Sequence, residues 1–257
     1  MSTFIIAEAG SCHDGEFAMA IDLIQAAANA GADACKFQYW SSAIRLAERR
    51  QASDYFETYF KYKVPESWLE SLKLRCDWLD IEFMSTVYLP EDIPIIAPYV
   101  KRFKVASFEA GDREFIEAHK VFDKPIIVST GMSREGDQIG KTGLGDIFLL
   151  HCVSAYPCPV EQAGLATIRA RAYAGYSDHT HDVLTGALAV AAGARILEVH
   201  FRLDDTDPAN PDYTTALSPG QLKDYISLVR KAELMLGDGI KRPQPCEAEM
   251  SKYRVKR

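Results

Sequence analysis

The sequence has no surplus of positive charge: 29 Lys and Arg stand against 36 Asp and Glu, a formal net charge of −7. General attraction to nucleic acid is thereby excluded, and an anionic ligand must be held by local positive charge in a pocket. No stretch approaches the roughly 20 apolar residues that a membrane span needs, so no membrane partner is expected. The short apolar run in "MSTFIIAEAG" has no basic flank ahead of it. It reads as a first strand and not as a signal peptide, and the expected compartment is the cytoplasm. Cys12, Cys35, Cys76, Cys152, Cys158 and Cys246 lack metal-site spacing, and several lie in apolar runs. A free thiol behaves there as a small hydrophobe, so they are read as reduced. Low-complexity linkers are also missing, and histidine is scarce, at six residues.

What is there is a rhythm. Short apolar runs fall at 4–10, 34–40, 81–86, 102–108, 125–130, 147–152, 174–178 and 195–201. Helical patterns separate them, among them "EFAMAIDLIQAAANAG", "PESWLESLKLRCDWL", "REFIEAHKVF", "DVLTGALAVAAGA" and "SPGQLKDYISLVRKAELMLG". Gly31, Gly193 and Gly237 stand where helix C-caps belong. Eight strands in alternation with helices predict an α/β fold, a (β/α)8 TIM barrel in a single domain over residues 1–257. The Gly-rich connection "GMSREGDQIGKTGLGD" is too short for a full fifth helix, which is expected to be reduced to a turn or loop. Residues 41–65 form a long insertion after strand two, rich in Tyr and Arg, and are expected to act as a lid over the barrel mouth.

Active sites of such barrels lie at the C-terminal ends of the strands. The polar residues closing the apolar runs are Glu8, Lys36 with Gln38, Thr86, Lys104 with Ser107 and Glu109, Ser129 with Thr130, Ser154 with Tyr156, Ser177 with His179, and His200. Strand side chains alternate between faces, so Lys36 and Gln38 share one face, as do Ser177 and His179.

His179 and His200 end neighbouring strands, so their imidazoles can meet across one strand spacing and hold a divalent metal, with Asp212 assisting. Two imidazoles with oxygen ligands suit Mn²⁺, Fe²⁺, Co²⁺ or Zn²⁺, and open positions would admit and polarise a carbonyl. The plainer reading is that Asp178 or Thr180 caps the next helix while the histidines pack or face solvent. His181 is expected at a helix start on the surface, His151 on a strand and His119 on a helix.

Lysines inside a barrel strand cost several kcal/mol if unpaired, so Lys36 and Lys104 need anions nearby. Glu8 and Glu109 can pair with them. Alternatively the lysines, with Ser107, Ser129, Ser154 and Ser177, cradle a small phosphorylated acid, or one of them is a Schiff-base nucleophile.

Taken in order, "FIIAEAGSCHDG", "AGADACKFQ", "FMST", "FKVASFEA", "KPIIVSTGMS", "LLHCVSAYP", "GYSDHT", "GARILEVHF" and "LSPGQLKDYISLVRKAELMLGDGIK" resemble the sialic acid (N-acetylneuraminate) synthase family over nearly the whole chain. That resemblance implies a barrel enzyme that condenses phosphoenolpyruvate with an N-acetylated hexosamine such as N-acetylmannosamine, releasing phosphate. It implies a divalent cofactor, Mn²⁺ with Mg²⁺ or Co²⁺ as substitutes, on His179 and His200, with Asp212 near metal and sugar. Lys36, Gln38, Thr86, Lys104, Ser107, Ser129, Ser154, Tyr156 and Ser177 match positions that hold either substrate, and Glu109 matches a residue proposed to handle protons.

Two departures accompany the match. Cys12 replaces an Asn that the family carries before His13. Family members also continue into an antifreeze-like domain that lends an arginine to a partner's sugar site, whereas this sequence stops at Arg257. The expectation is that the contact is lost, or replaced by the insertion at 41–65, by a homodimer or by a separate covering partner. A Schiff-base aldolase and a non-catalytic regulatory paralogue are the competing readings.

Overall fold

In the computed structural model, which describes residues 2–134, 137, 139 and 147–255, eight parallel strands close into a barrel in chain order. They are β1 (Phe4–Gly10), β2 (Ala34–Tyr39), β3 (Glu82–Val87), β4 (Phe103–Val105), β5 (Ile126–Ser129), β6 (Ile147–Cys152), β7 (Gly175–Asp178) and β8 (Ile196–His200). Sequence runs and strands coincide except at ends, where the runs at 102–108 and 195–201 overreach.

Alternation along each strand divides the barrel into layers. Ile6, Ala34, Met84, Ile127, Leu150 and Ile196 point inward and form an apolar plug. Two residues further along, the same face carries Glu8, Lys36, Thr86, Ser129, Cys152 and Glu198, joined by Ser177 two residues past Gly175 on β7, all buried. The register places Glu8 beside Lys36 and His200, and Thr86 beside Lys104. The other face of each strand packs under the helices. Ile5, Cys35, Phe83, Phe103 and Val128 join Leu23, Leu72, Ile96, Phe115 and Leu222 in the main core.

The surrounding helices are α1 (Phe17–Ala30), α2 (Ala43–Arg50), α3 (Phe56–Lys61), α4 (Leu69–Trp78), α5 (Ile93–Ile96), α6 (Arg113–Lys120), α7 (Ala166–Ala170), α8 (Thr185–Ala191) and α9 (Pro219–Leu236). Gly31 ends α1 in the left-handed conformation at φ 89°, which costs a residue without Cβ little. Ser218 and Gln221 form a reciprocal capping box ahead of α9, with Pro219 in its first turn. Gly193 lies one residue past the C-cap of α8 instead of on it.

The insertion at 41–65 contains α2 and α3, and its Arg50, Tyr55 and Tyr59 line pockets at the barrel mouth. Ser42 caps α2, and Trp40 Nε1 donates to Tyr59 O at 2.8 Å, tying the strand end to α3. The expected reduction of the fifth helix concerns a connection most of which lies outside the described residues. Among the described residues no helix is long and apolar enough to cross a membrane. The cysteines are free, five buried and Cys246 exposed, as read from the sequence.

Candidate active site

Buried charge at the upper layer is arranged as a chain. Lys36 Nζ lies 2.7 Å from Glu8 Oε2 and donates to Thr86 Oγ1 at 2.8 Å. Lys104 Nζ lies 3.4 Å from Glu198 Oε2 and donates to Ser129 Oγ at 2.7 Å. Glu198 also reaches toward Lys36, at 3.9 Å, and accepts from Ser177 Oγ at 3.4 Å. Gln38 Nε2 donates to Glu8 Oε1 at 2.8 Å.

The electrostatic consequences follow from who shares whom. Burial pushes Lys36 down, but Glu198 and Glu8 outweigh it and its pKa rises. Lys104 has burial against it and mainly Glu198 for it, and its pKa falls. For Glu198 burial raises the pKa, yet the two ammoniums prevail and hold the carboxyl at about 2.

At the mouth, the His179 and His200 rings stand 5.4 Å apart between centroids, as strand adjacency predicted. His179 Nδ1 is 2.6 Å from Val153 O. A carbonyl can only accept, so Nδ1 carries the proton and Nε2 keeps its lone pair. Burial lowers the His179 pKa to about 4, with His200 adding to the effect, so the ring is neutral as a metal ligand must be. His200 Nδ1 is buried without a hydrogen-bond partner, 3.8 Å from Asp212 Oδ1. Asp212 is itself fixed: its Oδ2 accepts from Ser11 N at 2.8 Å and from Ser11 Oγ at 2.7 Å. Among the described residues no three His, Cys, Asp or Glu side chains converge tightly enough to hold a metal by themselves. The donor set fits a divalent ion that takes two imidazoles and completes its shell from substrate and water oxygens.

One cavity of about 250 Å³ is lined by Lys36, Gln38, Thr86, Lys104 and Ser107, together with Ser129, Tyr156, Ser177, His179, His200 and Asp212. Eleven of the thirteen site residues that the resemblance implies thus meet in one place, and Glu8 lines it as well. Ser154 stands just behind, 2.8 Å from Ser107 across a hydroxyl pair. Glu109 does not join them. The sequence offered it as a partner for a barrel lysine, but it pairs with Arg50, whose Nη2 is 2.8 Å from its Oε1. Lys104 takes Glu198 instead, because Glu109 lies past the end of β4 in a short turn of helix. Burial raises the Glu109 pKa, and Arg50 only partly pulls it back.

Asp178 and Thr180 do not cap a helix either: Asp178 Oδ1 accepts from Thr180 N and Oγ1, and α8 begins at Thr185 without a side-chain cap. His181 is exposed ahead of α8, His151 sits on β6 and His119 on α6, as read from the sequence.

Sequence reasoning missed Glu198 and Arg50. The signal for Glu198 was present, since a glutamate two residues before His200 shares its inward face. Arg50 arrives from the insertion, and nothing local points to it. It lines both the inner cavity and an adjoining outer pocket of about 700 Å³, walled by Trp40, Tyr55, Tyr59 and Tyr62.

Comparison with known proteins agrees with this geometry. N,N'-diacetyllegionaminic acid synthase of Legionella pneumophila is 33% identical over 96% of this chain and 77% of its own length. N-acetylneuraminate-9-phosphate synthase of Mus musculus is 29% identical over 95% of this chain and 74% of its own. A crystal structure of N-acetylneuraminic acid (sialic acid) synthetase from Leptospira borgpetersenii, in complex with citrate, superposes with a TM-score of 0.88 at 30% identity, over 99% of this chain and 92% of that one. The NeuB family model matches residues 23–241, which takes in β2 to β8 and both His179 and His200. With the barrel, the charged layer and the paired imidazoles in place, the chain belongs to the NeuB family and is an enzyme of the sialic-acid-synthase type.

Proposed function

We propose that this enzyme joins phosphoenolpyruvate to an aldose, N-acetylmannosamine or a related sugar, giving a sialic-acid-like 2-keto sugar acid and phosphate. One observation carries the reading: a single cavity sets Lys36, Lys104 and a ring of hydroxyls beside two unencumbered imidazoles. Lys104 and Lys36 share the Glu198 carboxylate, so the positive charge of the pair is only partly matched by that group. With Ser129 and Ser177 the pair suits an anionic phosphate or carboxylate in a chain whose overall charge repels anions.

His179 and His200 would hold a divalent ion, Mn²⁺ with Mg²⁺ or Co²⁺ as substitutes, and Asp212 stands beside them. When bound, that ion supplies polarisation of the acceptor's aldehyde oxygen. The protein's own groups fix the enol so that C3 of phosphoenolpyruvate meets the aldehyde carbon within near-attack distance. A C–C bond forms and C2 becomes oxocarbenium-like. Water adds to C2, and the C2–O bond to phosphate breaks with its electron pair leaving on the phosphate. Of the two protons that water brings, one ends on the former aldehyde oxygen and one on phosphate. Glu109, with its raised pKa and its place in the outer pocket, suits the proton exchange on the acceptor side.

The test is phosphate release from phosphoenolpyruvate with Mn²⁺ across aldoses and N-acetylhexosamines, repeated with EDTA and with His200→Ala. Aldose-dependent release that both treatments abolish is expected; phosphoenolpyruvate turnover indifferent to aldose contradicts it. A Schiff-base lyase is the second reading, favoured by the downward pull of burial on Lys104. It requires borohydride trapping of a lysine adduct and insensitivity to EDTA.

A further inference from the structure

Asp178 faces away from the cavity that its neighbours line. It closes β7 between Ser177 and His179, and strand alternation turns it to the helix side of the barrel. It is buried there, where a carboxylate without donors costs several kcal/mol. Among the described residues its donors are neutral. Thr180 N and Thr180 Oγ1 donate to Oδ1 at 2.9 and 2.7 Å, and Tyr225 OH, on α9, donates to Oδ2 at 3.2 Å. The Thr180 hydroxyl has one proton, and the carboxylate takes it, so in the 2.8 Å contact between Thr180 Oγ1 and Thr185 Oγ1 the donor is Thr185. Tyr225 is wholly buried, and only a glycine at 186 leaves room for its ring: a Cβ there would lie 2.3 Å from Cζ.

These bonds bracket His179. The bond from Thr180 N back to Asp178 closes a turn with His179 at its centre. The His179 carbonyl accepts from Cys158 N at 2.7 Å, and its ring donates to Val153 O. His200 differs, because its Nδ1 has no hydrogen-bond partner among the described residues.

We propose that Asp178, seated by Tyr225, is a positioning residue for His179: it fixes the backbone that carries the imidazole, so that metal affinity depends on α9, a helix outside the mouth. This role rests on the metal reading of His179 and His200. A ligand already held in place incurs little ordering cost when an ion binds, and loosening its backbone restores that cost.

The experiment measures Mn²⁺ uptake by the full chain without substrates, from the loss of the free-ion EPR signal, with thermal melting in parallel. It compares the wild type with Asp178→Ala, Asp178→Asn and Tyr225→Phe. Asn keeps an acceptor oxygen for Thr180, and Phe keeps the ring beside Gly186 while removing the hydroxyl. Asp178→Ala is expected to weaken Mn²⁺ binding about tenfold or more and Tyr225→Phe severalfold, the usual range for supports behind a metal ligand, with Asp178→Asn nearer the wild type than Asp178→Ala. Should Asp178→Ala fail to fold, Tyr225→Phe decides. Variants that melt lower yet bind Mn²⁺ as the wild type does would make the network purely structural and overturn the proposal. So would an Asp178→Asn as weak as Asp178→Ala, which would assign the effect to charge. A wild type that takes up no Mn²⁺ contradicts the metal reading itself, and the proposal with it.

Discussion

Glu198 lies 3.4 Å from Lys104 in a barrel interior where both side chains are almost wholly shielded from water. Its carboxylate is the only one within 4 Å of the Lys104 ammonium among the described residues, and it also serves Lys36. A charge this deep is tolerated only while its partner stays.

Removing that partner is therefore costly. Glu198→Leu is expected to lower stability by about 3–5 kcal/mol, the usual consequence of orphaning a buried charge. Urea unfolding measures it. A loss below about 1 kcal/mol would mean that water or Glu8 compensates Lys104 directly.

His119 makes the fold sensitive to acid. Its ring is buried between Phe103 and Phe115, and burial lowers its pKa from 6.5 to about 4. The unfolded chain binds this proton at higher pH than the folded one, so the stabilising term is complete above pH 6.5 and fades as pH falls toward 4. His119→Phe removes it. Between pH 7 and 4 the variant should gain on the wild type by about 3 kcal/mol, at 1.36 kcal/mol per pH unit over the window. Parallel urea midpoints across that range would contradict this.

The proposed metal role of the imidazole pair can be tested through a neighbouring residue, Ser11. Ser11 fixes Asp212 beside His200. Ser11→Ala is expected to raise the Mn²⁺ concentration for half-maximal activity about tenfold or more, the usual effect of losing an outer hydrogen bond at a metal site. The wild-type kcat should return at saturating Mn²⁺. A kcat that stays low with an unchanged Mn²⁺ requirement would assign Ser11 to substrate instead.

Crowding at the mouth gives a fourth expectation. A Cβ on Gly131 would sit 2.1 Å from Ser154 Oγ and 2.8 Å from Cys152 Sγ. Gly131→Ala must displace the Ser107–Ser154 pair, at a cost of about 1–3 kcal/mol in stability. The KM for phosphoenolpyruvate should rise as well, which initial-rate kinetics detects. Unchanged melting and KM would mean that the loop shifts freely.

Most of the barrel was legible because its strands are short apolar runs bounded by polar residues, and that pattern survives without any tertiary knowledge. The inner cavity was legible for the same reason: strand ends define the mouth, and period-2 alternation defines which side chains enter it. Glu198 escaped because it interrupts an apolar run, and attention to run ends passes over a charge in the middle. Glu109 was matched to the wrong cation because its true partner, Arg50, comes from 59 residues away on the insertion. Such pairing depends on how α2 folds back over the mouth, which no local pattern encodes. The helices ran shorter than their apolar periodicity suggested, α8 above all, since periodicity reports burial and not hydrogen bonding.

The central claim, that phosphoenolpyruvate is consumed by C–C bond formation with phosphate leaving from C2, is tested most directly with phosphoenolpyruvate carrying ¹⁸O in the bridging C2–O position. Incubated with Mn²⁺ and N-acetylmannosamine, the enzyme should release phosphate that retains the label, together with an unlabelled 2-keto sugar acid, read by mass spectrometry. Label retained on pyruvate or on the keto acid, with unlabelled phosphate, would mean attack at phosphorus and would contradict the account.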